Sequence, residues 1–147
     1  VETESLHTFY ARPWQIGFVI YHGYKLIEEH SYFIRWSDIQ VSKGAAEKTK
    51  FDKKKIDEIG KDPKEIMEIL GKYIYDESYL LTGSNILNYD IMIFYNTMKK
   101  LGLKHDYSFL SRCYDCNALF KSYKLGLKPN YDNFLAWQFS LNNWKQK

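Results

Sequence analysis

Apolar and polar positions along this chain follow two different periods, and the switches between them mark its elements. Residues 15–21, Gln-Ile-Gly-Phe-Val-Ile-Tyr, are apolar at nearly every position. That run, apolar on both faces, predicts a central strand. His22-Gly23 predicts a turn, and residues 25–36 alternate well enough to return as the second arm of a hairpin. Ahead of the hairpin, residues 1–3 read as the end of a first strand and residues 6–14 as a loop containing Pro13. Residues 44–49 and 52–59 then read as two short helices. Asp62 is a good N-cap, Pro63 suits the first helical position, and Glu65 stands where a capping box needs it. Ile66, Met67, Ile69, Leu70, Tyr73 and Ile74 follow as one apolar stripe at helical spacing. Residues 79–82 predict a fourth strand, and residues 89–101 a helix ended by Gly102. Residues 112–114 predict a short fifth strand, and residues 115–123 a helix stopped by Gly126. Asp132 caps a last helix running to Trp144.

The order is β-β-β, then helices, then β-α-β-α-α. An antiparallel hairpin followed by βα units predicts an α/β domain with helices packed on a mixed sheet, and sites in such open sheets gather at strand ends. With 147 residues the chain is read as one domain, residues 1–147, around one core.

Composition narrows the classes. Apolar residues make up 45% and aromatics 18%, which excludes a disordered chain. A net charge of +3 neither demands nor excludes nucleic acid. Lys43, Lys48, Lys50, Lys53, Lys54 and Lys55 form a basic stretch, read either as a solvated helix face or as a track for a phosphate backbone. No apolar run approaches the ~20 residues of a membrane span, so no membrane partner is expected. No signal-peptide pattern occurs, and the expected setting is the cytoplasm. Cys113 and Cys116 are spaced C-x-x-C without the second pair that structural zinc requires. They are read as two buried thiols in a reducing compartment, or alternatively as a redox pair. His7, His22, His30 and His105 lack metal-ligand spacing. No serine sits in a nucleophile elbow, and there is no glycine-rich phosphate loop. Trp14, Trp36, Trp137 and Trp144 are read first as core, with base stacking as the alternative.

The chemistry lies in two short segments. The first is Val1-Glu2-Thr3 on the first strand. The second is Asn85-Ile86-Leu87-Asn88-Tyr89-Asp90, which follows the fourth strand and opens a helix. Asp90 falls in that helix's first turn, where a carboxylate can face a cation at a sheet end; the alternative is that Asn88 or Asp90 simply caps the helix. Together the segments resemble the first two motifs of the DEDD superfamily of 3′→5′ exonucleases, Asp-x-Glu-Thr and Asn-x-x-x-Tyr/Phe-Asp. Ser84 replaces the histidine that often precedes the asparagine. Residues 13–19 resemble the family's second strand, residues 44–59 its linker helices with Lys50 in place of a glycine, and residues 113–120 the strand and helix after the second motif.

The resemblance implies a ribonuclease-H-like mixed five-stranded sheet flanked by helices. It implies hydrolysis of phosphodiester bonds at single-stranded DNA 3′ ends through two divalent cations, Mg²⁺ or Mn²⁺. Such cations sit about 4 Å apart and take carboxylate oxygens. Glu2 and Asp90 would be the catalytic metal ligands, and Thr3, Asn85 and Tyr89 would touch the terminal nucleotide or shape its pocket. A polymerase is a further implied partner, from the proofreading members. The family's first aspartate would fall just before Val1. Its third motif, His-x-Ala-x-x-Asp or Tyr-x-x-x-Asp, does not occur after Asp90, and neither His105 nor Tyr131 is placed to be its base. The start of the first strand and the third motif are therefore expected outside these residues. The alternatives are a catalytically incomplete domain that binds nucleic acid or acts as a scaffold, and an exoribonuclease.

Overall fold

The computed structural model describes residues 1–124. Expectations for Gly126, Tyr131, the helix after Asp132, Trp137 and Trp144 lie outside the described residues. The chain runs β1 (Glu2–Thr3), β2 (Pro13–His22), β3 (Lys25–Phe33), α1 (Lys43–Thr49), α2 (Lys53–Ile59), α3 (Pro63–Ile74), β4 (Leu81–Gly83), α4 (Asp90–Lys100), a 3-10 turn at Leu110–Arg112, β5 (Cys113–Asp115) and α5 (Cys116–Lys124). Every element expected in this range forms.

The hairpin is antiparallel, with Gln15 opposite Phe33 and Ile20 opposite Glu28, and Gly23 supplies the positive φ of 60° at its tip. β3 ends at Phe33, short of the expected Trp36, because Ile34 turns away to bridge Lys61 in parallel. Asp62 accepts from the backbone N–H groups of Lys64 and Glu65, as an N-cap should, and Pro63 occupies the first turn. The Glu65 carboxylate does not close a capping box. It takes the ammonium of Lys61 at 3.0 Å.

The expected five-stranded sheet is not shown. The five strands divide into an antiparallel sheet in the order β1-β2-β3 and a parallel pair, β4-β5. The reason is the brevity of β1. Two residues pair with Gln15 and Pro13 of β2, and too little strand remains to reach β4.

The main core is built from Ile16 and Ile34 of the hairpin region, Ile66, Met67 and Ile74 of α3, Ile91, Phe94 and Met98 of α4, and Phe109 and Cys113 beyond. The amphipathic face of α3 thus packs against the hairpin region and α4. A smaller cluster of Trp14, Ile39 and Ile56 fastens α2 beneath the hairpin. Trp14 is almost wholly buried, stacks on Phe33 and meets the edge of Phe51. Two tryptophans, Trp14 and the half-buried Trp36, are therefore core, and their indole N–H groups donate to the carbonyls of Thr3 and Pro13. The lysines of α1 and α2 lie on the surface. Lys53 is paired with Asp57, and Lys55 lies over the Phe33 ring.

On the α3 side of the hairpin, Glu28 takes His30 Nε2 at 2.8 Å and the Tyr73 hydroxyl at 2.9 Å. These hydrogen bonds, His30 first and Tyr73 second, hold the Glu28 carboxyl below its ordinary value. A depressed carboxyl stabilises the fold above that ordinary value, and the contribution disappears as pH falls through the folded-state value. Glu28→Gln should therefore lower the melting temperature slightly at neutral pH. The difference from the parent chain should close on acidification below the ordinary value of 4.5. Parallel thermal melts across pH read both, and a gap that widened in acid would refute this account of Glu28.

Candidate functional site

The two chemistry-bearing segments, far apart in sequence, meet at the N-terminus of α4. Thr3 is buried on β1, and its hydroxyl lies 2.5 Å from that of Tyr89. Both hydroxyls also reach the carbonyl of Ser5, Thr3 at 2.6 Å and Tyr89 at 3.3 Å, so the three groups form one cluster. Two positions back, the backbone nitrogen of Val1 lies 3.1 Å from Asp90 Oδ1. Both residues are largely sheltered, with side chains 13% and 29% exposed. Asp90 stands in the first turn of α4, and the helix has no side-chain cap. The alternative in which Asn88 or Asp90 merely caps this helix is not what forms.

Asn85 is held by its own strained geometry. Its φ is 61°, in the left-handed region that asparagine tolerates better than most residues. Its carbonyl accepts from the N–H groups of Asn88 and Tyr89, which starts the turn that becomes α4. Its side-chain oxygen receives Asn88 Nδ2 at 3.3 Å.

The residue that sequence reasoning missed is Asp115. It was expected merely to open the helix after the fifth strand. It is the last residue of β5 and wholly buried. One carboxylate oxygen accepts from the backbone N–H of Asn85 at 3.1 Å, and from those of Asn117 and Ala118 at 2.9 and 3.3 Å. The other faces the Leu87 N–H at 3.5 Å. Asp115 therefore caps α5 and grips the 85–87 turn with the same group. An aspartate ahead of a helix gives the first role away in sequence; nothing local gives the second.

The 4–12 loop borders the same place. Arg12 clamps its base: Nε and one terminal nitrogen donate to the two Glu4 oxygens at 2.9 and 2.8 Å, and the other terminal nitrogen reaches Asp38 at 2.6 Å. The bonds to Glu4 and then Asp38 raise the guanidinium above its ordinary value, and Arg12 holds the Asp38 carboxyl below its own. From α4, Asn96 donates to the carbonyl of Thr8 and Lys100 to that of Tyr10, both at 3.0 Å. The tethered loop nevertheless presents Leu6, Phe9 and Tyr10 to solvent at 88%, 63% and 75% exposure.

Of the predicted site residues, the structure brings together Thr3, Tyr89, Asp90 and, through the turn, Asn85. Glu2 is exposed on β1, and its side chain makes no hydrogen bond or ion pair with a described residue. Carboxylate oxygens are the right donors for a hard divalent cation. The described residues nevertheless hold no group of three His, Cys, Asp or Glu side chains placed to bind one. A complete two-metal centre does not fit the described residues alone. The two cysteines are not bridged, and only one of the two expected buried thiols is buried: Cys116 is exposed beside the Thr82 hydroxyl, while burial pushes the Cys113 thiol up to about 11, away from thiolate formation.

The fold is that of an exonuclease-like α/β domain. It is similar to Escherichia coli exonuclease I, both in complex with a 5cy-dT13 oligonucleotide and in the metal-free form of an ssDNA complex. In each case the TM-score is 0.75 and the identity 15%, over 84% of this chain and 28% of the other. The chain thus spans under a third of the length of the exonuclease it matches. No protein-family model matches the chain, and no curated protein matches it.

Asp115 sets up a direct test. Asp115→Ala leaves the Asn85 and Leu87 amides without their acceptor and should cost about 2–4 kcal/mol of stability. Those two amides should lose protection from hydrogen exchange before the β2–β3 ladder does. Asp115→Asn, which keeps one acceptor oxygen, should cost less. Equal protection of these amides in all three chains would remove Asp115 from its positioning role.

Proposed function

We propose that this chain is a 3′→5′ exonuclease domain of DEDD type acting on single-stranded DNA ends. The observation that carries the reading is the junction of Thr3 with Tyr89 beside Asp90. It unites two motifs that are 86 residues apart in sequence at the mouth of a helix, in a fold like that of exonuclease I. The oligonucleotide bound by that enzyme supports single-stranded DNA as the substrate class.

In this reading the chain's own residues bind and orient. Asp90 offers a carboxylate at the head of α4, and Glu2 offers a second on β1. Thr3 and Tyr89 fix the strand-to-helix spacing, and Asn85 shapes the turn against which the terminal nucleotide lies. Leu6, Phe9 and Tyr10 offer apolar and aromatic surface beside that place, suited to stacking on bases, which contributes about 1–3 kcal/mol per base. Two divalent cations, Mg²⁺ or Mn²⁺, are the implied cofactors; when bound they supply water activation and charge neutralisation at the phosphate. Their full ligand set requires carboxylates beyond Glu2 and Asp90, which the reading places outside the described residues. Proofreading beside a polymerase is one setting for such an activity. A second reading, binding without hydrolysis, is favoured by one observation: the lack of a three-ligand cluster among the described residues.

The test uses 5′-labelled oligo(dT) and oligo(U) with Mn²⁺ or with EDTA. The expected result is a metal-dependent ladder shortening oligo(dT) from its 3′ end, slowed by two orders of magnitude or more in Asp90→Ala. Phe9→Ala and Tyr10→Ala should each weaken oligo(dT) binding by about 5- to 150-fold, from the stacking energy above. Preference for oligo(U) would reassign the substrate to RNA. Oligonucleotide binding without shortening would establish the binding module, and neither binding nor shortening by a folded chain would end both readings.

A further inference from the structure

Residues 43–55 carry more positive charge than the whole chain. Six lysines stand there against Glu47 and Asp52, a net +4 where the full sequence has +3, so the remainder is slightly acidic. Lys43, Lys48, Lys50, Lys54 and Lys55 are exposed. Among the described residues only Lys53 of the six forms an ion pair, with Asp57.

Several of these placements run against local stability. Lys53, Lys54 and Lys55 fill the first turn of α2 and Lys43 opens α1, and neither first turn holds an acidic residue. Cations at that end of a helix oppose its dipole, and Asp52 at the N-cap of α2 answers only part of the charge. Lys50, which this chain carries in place of a family glycine, ends α1 at a φ of 56°. That is the left-handed region, open to glycine and strained for lysine. Packing does not dictate the composition either, since α1 buries no residue and α2 only Ile56. Positions that break local rules without a gain in packing mark function.

The outward surface is charge without apolar side chains. Phe51, the one large apolar residue of the stretch, packs inward with its ring 5.2 Å from that of Trp14. A lipid surface is held by apolar groups as well as by charge, so this face suits a polyanion bound by charge alone. A phosphodiester backbone is such a polyanion, with one charge per nucleotide. The face also adjoins the candidate site. The Trp14 indole donates to the Thr3 carbonyl at 3.2 Å, its ring stacks on Phe33, and the Lys55 ammonium lies 4.8 Å over Phe33.

We infer that the basic face of α1 and α2 holds the phosphate backbone of a single DNA strand, away from the 3′ end that meets Asp90. The choice of a single DNA strand rests on the exonuclease reading; the seat for a polyanion rests on the lysines. Lys48, Lys50 and Lys54 carry the contact, since none of them has an ion-pair or ring partner among the described residues. Phosphates there relieve the repulsion between neighbouring lysines that the folded chain otherwise bears. The face selects by length, because a strand too short to reach it loses its contribution.

The test is fluorescence anisotropy of 5′-labelled oligo(dT) of about 4 and about 16 nucleotides, the span of single-strand sites, with EDTA present and salt varied. In the triple variant Lys48→Gln, Lys50→Gly, Lys54→Gln, the slope of log affinity against log salt should fall by about 2, at about 0.7 per phosphate contact. Affinity for the longer strand should drop by about tenfold or more, with little change for the shorter. Phe9→Ala should weaken binding without changing that slope. Lys50→Gly alone should raise the melting temperature by about 2–4 °C as the strained backbone relaxes. Unchanged slope and affinity in the triple variant, where the parent chain binds the longer strand, would overturn this inference and leave the exonuclease reading standing. No binding of either strand by the parent chain would remove the reading and, with it, the partner named here. Lysine-dependent binding to phosphatidylserine vesicles in place of oligo(dT) would overturn the assignment to nucleic acid. A lower melting temperature in Lys50→Gly would return that lysine to a structural role.

Discussion

A carboxylate buried among backbone amides sets the geometry on which this site depends. Burying the charge of Asp115 costs much more than burying a neutral group, unless hydrogen bonds surround it. It accepts from Asn85, Asn117 and Ala118 within 3.3 Å, which joins the end of β4 to the start of α5. The constraint passes outward along the chain. With its N–H fixed, Asn85 holds a left-handed conformation, its carbonyl nucleates the turn through Tyr89, and α4 begins at Asp90. Tyr89 and Asp90 then meet Thr3 and Val1. Relaxing the first link would loosen the later ones, although core packing of α4 and the pairing of β1 with β2 also hold them.

The second organising element is Arg12. Its planar guanidinium takes Glu4 in two bonds and Asp38 in a third, and its charge cannot be switched off by ordinary changes of pH. The clamp closes the 4–12 loop at its base, and Asn96 and Lys100 hold the loop from α4. A loop tethered at both base and flank can expose Leu6, Phe9 and Tyr10 without paying the full ordering entropy on contact with a ligand. Exposed large apolar groups on an anchored loop suit recognition better than they suit stability.

Much of the fold was legible in sequence wherever a local pattern carried it. The apolar run at 15–21, the His22-Gly23 turn, the cap at Asp62 and the stripe from Ile66 to Ile74 all produce the elements expected of them. The resemblance to the DEDD motifs singles out Glu2, Thr3, Asn85, Tyr89 and Asp90, and the structure gathers all of these but the Glu2 side chain. Other features depend on partners dozens of residues away and leave no periodic trace. The grip of Asp115 on Asn85 spans 30 residues, and the tie from Asn96 to Thr8 spans 88. Glu65 forms an ion pair with Lys61 in place of the capping box because the lysine one turn earlier offers a full charge. The division into two sheets goes with the two-residue length of β1, which the sequence of residues 1–3 does not reveal.

Fold and site share a boundary in this molecule. Val1, Asn85, Tyr89 and Asp90 line one cleft between β2 and β4. The Asp90 carboxylate is 29% exposed there and lies 3.1 Å from the backbone nitrogen of Val1, so β1 and the head of α4 are in direct contact at the cleft. The strand-to-helix contact is at once a packing feature and part of the candidate site.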